Sequence, residues 1–299
     1  MDAGFNPLEA TACRRLVILA LEEDVGPGDV TSQAVIRPDL AGRAVFVART
    51  AGVAAGLPAV AMVVEAVDAG LRFDPYVADG SSVVKGTRLA VLSGAMRSIL
   101  AAERIALNFL QHLSGVASLT RRYVDAVAGL RARILDTRKT LPGWRLLEKY
   151  AVRRGGGCNH RVGLFDGILI KDNHLAALPL ADRCGKIEEA MRLARSAAAA
   201  QGANAPRPPI EVEVEDLEQF DAALASRPDI VLLDNMPLET MREAVRRRDD
   251  KAAQVLLEAS GGVSLQTVRA IAETGVDRIS VGALTHSAPA LDIALDYET

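Results

Sequence analysis

From Arg133 onward the chain repeats one rhythm, a short run of β-branched or leucine-rich residues followed by a helical segment. The runs are RILDT, GILIK, IEVEVE, IVLLD, QVLLEAS and RISVG. Helix candidates among them are WRLLEKYAVRR, IEEAMRLARSAAAA, LEQFDAALAS, LETMREAVRRR and LQTVRAIAET. Repeated strand–helix units require parallel strands joined by crossover helices. Six such units favour an α/β barrel, closed or incomplete, over an open doubly wound sheet. No GxGxxG follows the first run, so the dinucleotide-binding version of the open sheet has no support.

The first third reads differently. RRLVILALEED has helical spacing, and the EDVGPGDVTS that follows is a loop, because Gly26, Pro27 and Gly28 cannot continue a helix. GRAVFVART alternates like a half-buried strand, and DGSSVVKGTRLAVLSG gives two short strands around Lys85-Gly86. Ile99, Ile105, Leu107, Leu110 and Leu113 then mark a heavily buried helix, with an interruption expected near Gly115.

Composition narrows the function. A chain of 299 residues with a net charge of −3 lacks the basic excess of a nucleic-acid binder. Cys13, Cys158 and Cys184 form neither a CxxC pair nor an even disulfide set, which places the protein in a reducing cytoplasm. The N-terminus lacks the basic start and apolar block of a signal peptide. The least charged stretch, Thr50 to Val64, is too short to span a bilayer and carries Gly52, Gly56 and Pro58.

Each run ends on a residue with chemistry: Arg138 and Lys139, Lys171, Glu213, Asp234, Ser260 with Gly261, and Gly282. In a barrel these ends converge on one face, where barrel enzymes place their active sites. Guanidinium forks at Arg138 and an ammonium at Lys139 suit carboxylates and phosphates. His160 and Arg161 follow three glycines that let backbone approach a ligand. Lys171 closes an apolar run, where an unpaired ammonium is costly, so it meets a substrate anion or a carboxylate such as Asp172. Glu213 and Asp234 could hold Mg²⁺, accept from sugar hydroxyls or neutralise lysines. Glu211 and Glu215 share the parity of Glu213, and periodicity does not choose among them. The glycine-rich turns after EAS and at VGALTH offer backbone amides to phosphate, at the usual phosphate position of barrels. Cys158 reads as a structural residue of a glycine turn. Arg104, Asn108 and His112 share one helix face, with His112 a hydrogen-bonding residue and Arg104 unexplained among apolar neighbours.

Five cations (Arg138, Lys139, His160 when protonated, Arg161 and Lys171) face two carboxylates, a locally positive pocket that draws in a polyanion. Two other readings stay open on these residues. Lys171 at a strand end would also suit a Schiff-base aldolase, and the anion site could serve a non-catalytic metabolite sensor.

The motifs EDVGPGDVTS, ERIALNFLQHLSGVAS, LDTRKTLPGWRLLEKYAVRRGGGCNHRVGLFDGILIKDNH, EVEVEDLEQ, VLLDN, LEASGG and VGALTHS resemble, in order and over essentially the whole chain, the quinolinate phosphoribosyltransferase family. A branch of that fold associated with molybdenum-transport operons is the nearest rival. The resemblance implies an N-terminal α/β sandwich (1–113), an incomplete, about seven-stranded α/β barrel (114–284), and a C-terminal segment (285–299) packing back on the first domain. It implies a decarboxylating pentosyltransferase that joins quinolinate to phosphoribosyl pyrophosphate with Mg²⁺, in NAD biosynthesis, as a homodimer. Carried over by motif, Arg138, His160, Arg161 and Lys171 would hold quinolinate, and Arg104 would reach it from the neighbouring subunit. Lys139, Glu213, Asp234, Ser260, Gly261 and Gly282 would bind the phosphoribosyl donor, with Glu213 and Asp234 at the metal, directly or through water. Lys139, Lys171, Glu213 and Asp234 would form the catalytic group.

Overall fold

The computed structural model describes residues 4–200 and 207–298. The first helix, α1 (Pro7–Asp24), starts where a reciprocal cap forces it to. The Asn6 side chain accepts from the Leu8 and Glu9 amides, and Glu9 accepts from the Asn6 amide in return. Helix α2 (Val30–Val35) is capped by Asp29. Next come β1 (Ala41–Ala48), β2 (Gly52–Val53), α3 (Leu57–Val67), β3 (Arg72–Pro75), β4 (Ser82–Val83) and β5 (Arg88–Ala95). Helix α4 (Met96–Ala126) follows, then β6 (Arg133–Leu135), α5 (Arg145–Arg154), β7 (Ile168–Ile170), α6 (Asp172–Ala176) and α7 (Arg183–Ala200). The chain continues through β8 (Ile210–Val214), α8 (Leu217–Ala225), β9 (Ile230–Asp234), α9 (Leu238–Lys251) and β10 (Leu256–Ser260). It ends with α10 (Val268–Ala272), β11 (Arg278–Ser280), α11 (Ala283–His286) and β12 (Ile293–Tyr297).

Two compact units are present. The first comprises 1–122, 139–157 and 283–299, and the second 123–138 and 158–282. In the first unit an antiparallel sheet of order β12-β1-β5-β3 buries Ala44, Phe46, Ala48, Leu89 and Leu92. The C-terminal strand lies along β1, with Ala44 opposite Tyr297. The expected interruption of α4 does not occur. Gly115 lies inside the helix, and a Cβ there would stand 2.2 Å from the Pro289 carbonyl oxygen. That glycine is needed for the close approach of another chain segment rather than for a break.

In the second unit all six runs are strands, parallel throughout, in the order β6-β11-β10-β9-β8-β7. Cys158 adds a seventh parallel segment on the other edge of β6. Its amide donates to Ile134 and its carbonyl accepts from Asp136. Among the described residues no ladder joins Cys158 to β7, so this sheet is an incomplete barrel. The chain from Asn159 to Gly167 runs from one edge of the opening to the other. Alternation sorts the strand residues. Ile210, Val212 and Val214, like Leu257 and Ala259, are apolar and fully buried, whereas Glu211 and Glu258 on the opposite faces are buried and charged.

Candidate active site

The charged faces of three strands meet the opening loop. His160 Nε2 lies 3.0 Å from Glu211 on β8 and 3.4 Å from Glu258 on β10. Glu258 accepts in turn from Arg278 Nε on β11 at 2.6 Å. The other ring nitrogen, Nδ1, accepts from the Arg161 amide at 2.8 Å. Buried Asp136, just past β6, accepts from the His160 amide at 2.9 Å and from the Asn159 side chain. Both carboxylates of the cluster are buried; among the described residues Glu211 Oε1 has no hydrogen-bond partner, and Glu258 Oε1 is met by His160 Nε2 at the longer 3.4 Å.

Charge in so closed a cluster is tightly linked. Burial opposes protonation of His160, but Glu211 and Glu258 outweigh it and push its pKa up to about 9. Burial pushes the Glu211 carboxyl upward against the His160 hydrogen bond. It acts in the same sense on Glu258, yet His160 and Arg278 hold that carboxyl below its ordinary value. The approach of the Arg161 amide to Nδ1 favours a proton at Nε2, the atom that faces Glu211, and the two residues titrate as one unit. One proton on either residue leaves the buried group electrically neutral beside Arg278. The three groups present one ligand atom each within 4.8 Å of one another. A metal there would compete with the guanidinium already paired to Glu258.

Outside this cluster the charges are less settled. Lys171 pairs with Glu213, and its side chain is still 42% exposed. Of the partners open to Lys171 in the sequence, the carboxylate is therefore Glu213 and not Asp172. Arg161 donates to the Gly167 carbonyl at 3.0 Å, and burial followed by the Arg138 charge lowers its pKa. Two half-buried guanidinium groups that oppose each other's charge make a seat for an anion. Beside Glu213 a cavity of about 300 Å³ is lined by Asp172, Arg183, Lys186 and Gln219.

Asp234 and Ser260 end adjacent strands in register, and the Asn235 amide donates to the Ser260 carbonyl at 2.9 Å. Asn235 has φ 52° and Gly261 φ 92°, both left-handed. A Cβ on Gly261 would lie 2.1 Å from the Asn235 side-chain oxygen, so the turn that follows β10 accepts only glycine. Asn235 Nδ2 donates to Asp234 at 2.8 Å, leaving carboxylate lone pairs for another donor or a cation. Gly282 follows β11 at the same end of the sheet.

Lys139 and Arg104 belong to the first unit. The Lys139 carbonyl accepts from Thr285 Oγ1 at 2.6 Å, and the Leu141 amide donates to buried Glu148, which also meets His112 at 3.0 Å. His112 is thus a hydrogen-bonding residue, packed edge-on to Trp144. Arg104 is exposed on α4. Asp136, Asn159, Glu258, Arg278 and Asn235 are site residues that strand-end position alone does not single out. A charged residue in the middle of a buried run, as at Glu258 in LLEAS, was the available signal.

An incomplete parallel barrel with cations and carboxylates at its strand ends defines a class: barrel proteins that bind small anionic metabolites. The comparisons narrow it. Residues 29–114 match the N-terminal domain of quinolinate phosphoribosyl transferase and residues 116–296 its C-terminal domain. The chain is 47% identical to the carboxylating nicotinate-nucleotide pyrophosphorylase of Mycobacterium leprae, over 96% of this chain and 98% of that one. Identity to the chloroplastic enzyme of that name from Oryza sativa is 40%, over 96% and 78%. The solved nicotinate-nucleotide pyrophosphorylase of Francisella tularensis superposes with a TM-score of 0.85 at 38% identity, covering 97% of each chain. The chain belongs to the quinolinate phosphoribosyltransferase family. Among the described residues no helix is long and apolar enough to cross a membrane.

Proposed function

We propose that the protein catalyses decarboxylating phosphoribosyl transfer. Quinolinate and phosphoribosyl pyrophosphate give nicotinate mononucleotide, pyrophosphate and CO₂, a step of NAD biosynthesis in the cytoplasm. The observation that carries this reading is the opposed pair Arg138 and Arg161 at the strand-end face of a family member. A dicarboxylate offers each guanidinium a carboxylate of its own, where a monocarboxylate must be shared.

The reaction asks little covalent chemistry of the protein. The ring nitrogen forms a bond to C1 of the ribose as the bond from C1 to pyrophosphate breaks, and Lys139 stabilises the departing charge. Arg138, Arg161 and Lys171 fix the acid, which makes the displacement effectively unimolecular. The ring nitrogen is then cationic. Its charge stabilises the electron pair left when the adjacent carboxylate departs as CO₂, and a proton takes that pair. Glu213 and Asp234 accept from the ribose hydroxyls, and the turn at Ser260 and Gly261, with Gly282, takes the 5′-phosphate.

Mg²⁺ fits the donors. Glu213 and Asp234 are hard carboxylates at neighbouring strand ends, and this ion is usually held by one or two carboxylates plus substrate phosphates. When bound it would neutralise the pyrophosphate. The protein works as a homodimer, with exposed Arg104 completing the neighbouring site.

The test is a coupled assay with both substrates and Mg²⁺, following nucleotide and CO₂ together, with nicotinate as control and a chelator arm. Turnover of quinolinate alone, abolished by chelation and restored by Mg²⁺, is expected. A folded protein that turns over neither acid refutes the reading.

A further inference from the structure

We infer that Glu258 and Arg278 are positioning residues for the acidic substrate: with Glu211 they clamp the His160 ring, and through it the backbone from which Arg161 reaches out. The inference rests on the quinolinate reading above and assigns work to two buried residues that the reaction does not use.

The geometry runs in one line. Arg278 holds Glu258 at 2.6 Å, Glu258 and Glu211 hold Nε2 of His160, and Nδ1 holds the Arg161 amide at 2.8 Å. Glu258 is fully buried, so a ligand in the pocket does not touch it. Its effect has to pass through His160. That residue sits on the segment bridging the barrel opening, where no ladder fixes the backbone. Among the contacts that fix the segment are those of Asp136, the ring clamp, and Asp166, which accepts from the Val162 and Gly163 amides. With both ring nitrogens engaged by protein, His160 acts as a bracket between sheet and loop. Two carboxylates and a guanidinium are a poor choice for stability alone, since apolar residues of similar volume would do as well or better. They are a good choice for a fixed ring orientation, because a charged hydrogen bond is directional.

The experiment compares wild type with Glu258→Gln, which keeps the shape and removes the charge. Quinolinate and phosphoribosyl pyrophosphate affinities are measured separately by calorimetry, and the imidazoles are followed by ¹⁵N NMR. The chain has four histidines, His112, His160, His174 and His286, so assignment is tractable. Quinolinate affinity is expected to fall about 10- to 100-fold, the worth of one charged hydrogen bond, while donor affinity holds. The His160 resonances are expected to move and the other three to stay. A folded variant with unchanged quinolinate affinity, unmoved His160 resonances, or an equal loss for both substrates overturns the inference. Should Glu258→Gln not fold, Arg278→Lys, which keeps the charge and loses the guanidinium fork, is read against the same criteria. Wild-type protein that does not bind quinolinate sinks the proposed function instead. The resonances still report whether Glu258 clamps His160.

Discussion

The two ends of the parallel sheet use the same residue types to opposite effect. At the N-terminal end Arg248 is fully buried and donates to Asp277 at 2.6 Å, to the Val255 carbonyl at 2.9 Å and to Asp249. Asp277 also accepts from the Leu257 amide, and Asp229 accepts from the Ile210 amide, each just before a strand begins. At the C-terminal end Lys171 has Glu213 and open solvent, while Arg161 faces Arg138. Charges at the first end are paired within the protein. Those at the second are half-buried or exposed and two of them oppose one another, so an incoming anion can be drawn to them.

The largest effect should come from breaking the closed end. Arg248→Met takes the buried guanidinium from Asp277 and leaves it the Leu257 amide and half-exposed Arg131, and removing one partner of a buried pair costs about 3–5 kcal/mol. Urea unfolding should show that loss, with quinolinate affinity of the folded fraction unchanged. A loss below about 1 kcal/mol, the size of an exposed pair, would erase the contrast. The open end should answer the other way. Arg138→Ala or Arg161→Ala should lower kcat/KM for quinolinate by roughly 30- to 5,000-fold, from about 2–5 kcal/mol for one member of a desolvated charge pair. Stability should hold or rise, since one of two opposed cations is gone. Near-normal activity at sub-saturating quinolinate would remove that residue from the site.

The layout of this sheet was legible because hydrophobic period is local, and each of the six runs became a strand with its useful residue at or just past the end. The seventh segment was hidden, because Cys158 pairs through a single bridge that leaves no period. What could not be read was which polar residues close on one another. His160 meets carboxylates about 50 and 100 positions away, and strand parity treats Glu211, Glu213 and Glu215 alike. The fold separates them: Glu211 lies under His160, Glu213 against Lys171, and Glu215 with exposed Arg183. Gly115 misled for the same reason, since its explanation is a segment 174 residues further on.

A smaller effect should appear with pH. The cluster of His160, Glu211 and Glu258 keeps one proton up to about pH 9, whereas an unfolded histidine releases it near its ordinary value of 6.5. A pKa raised by folding contributes stability that is complete below about 6.5 and lost as pH climbs through about 9. Unfolding free energy should therefore slope downward across that window. In His160→Gln the slope should flatten by up to one proton. An unchanged slope would mean that the folded cluster does not hold the extra proton.

The smallest effect sits on the helix that carries Arg248. Arg242, two turns earlier on α9, donates to Glu239 at the i,i+3 position, and both side chains are largely in water. Water already solvates each charge, so the pair gains little Coulomb energy and gives up side-chain freedom. Arg242→Ala should change stability by about 0.5 kcal/mol or less. Read by the same urea titration as Arg248→Met, it sets an exposed arginine–carboxylate pair against a buried one on the same helix. A loss as large as that of Arg248→Met would mean that helix α9, rather than the closed end of the sheet, sets the cost.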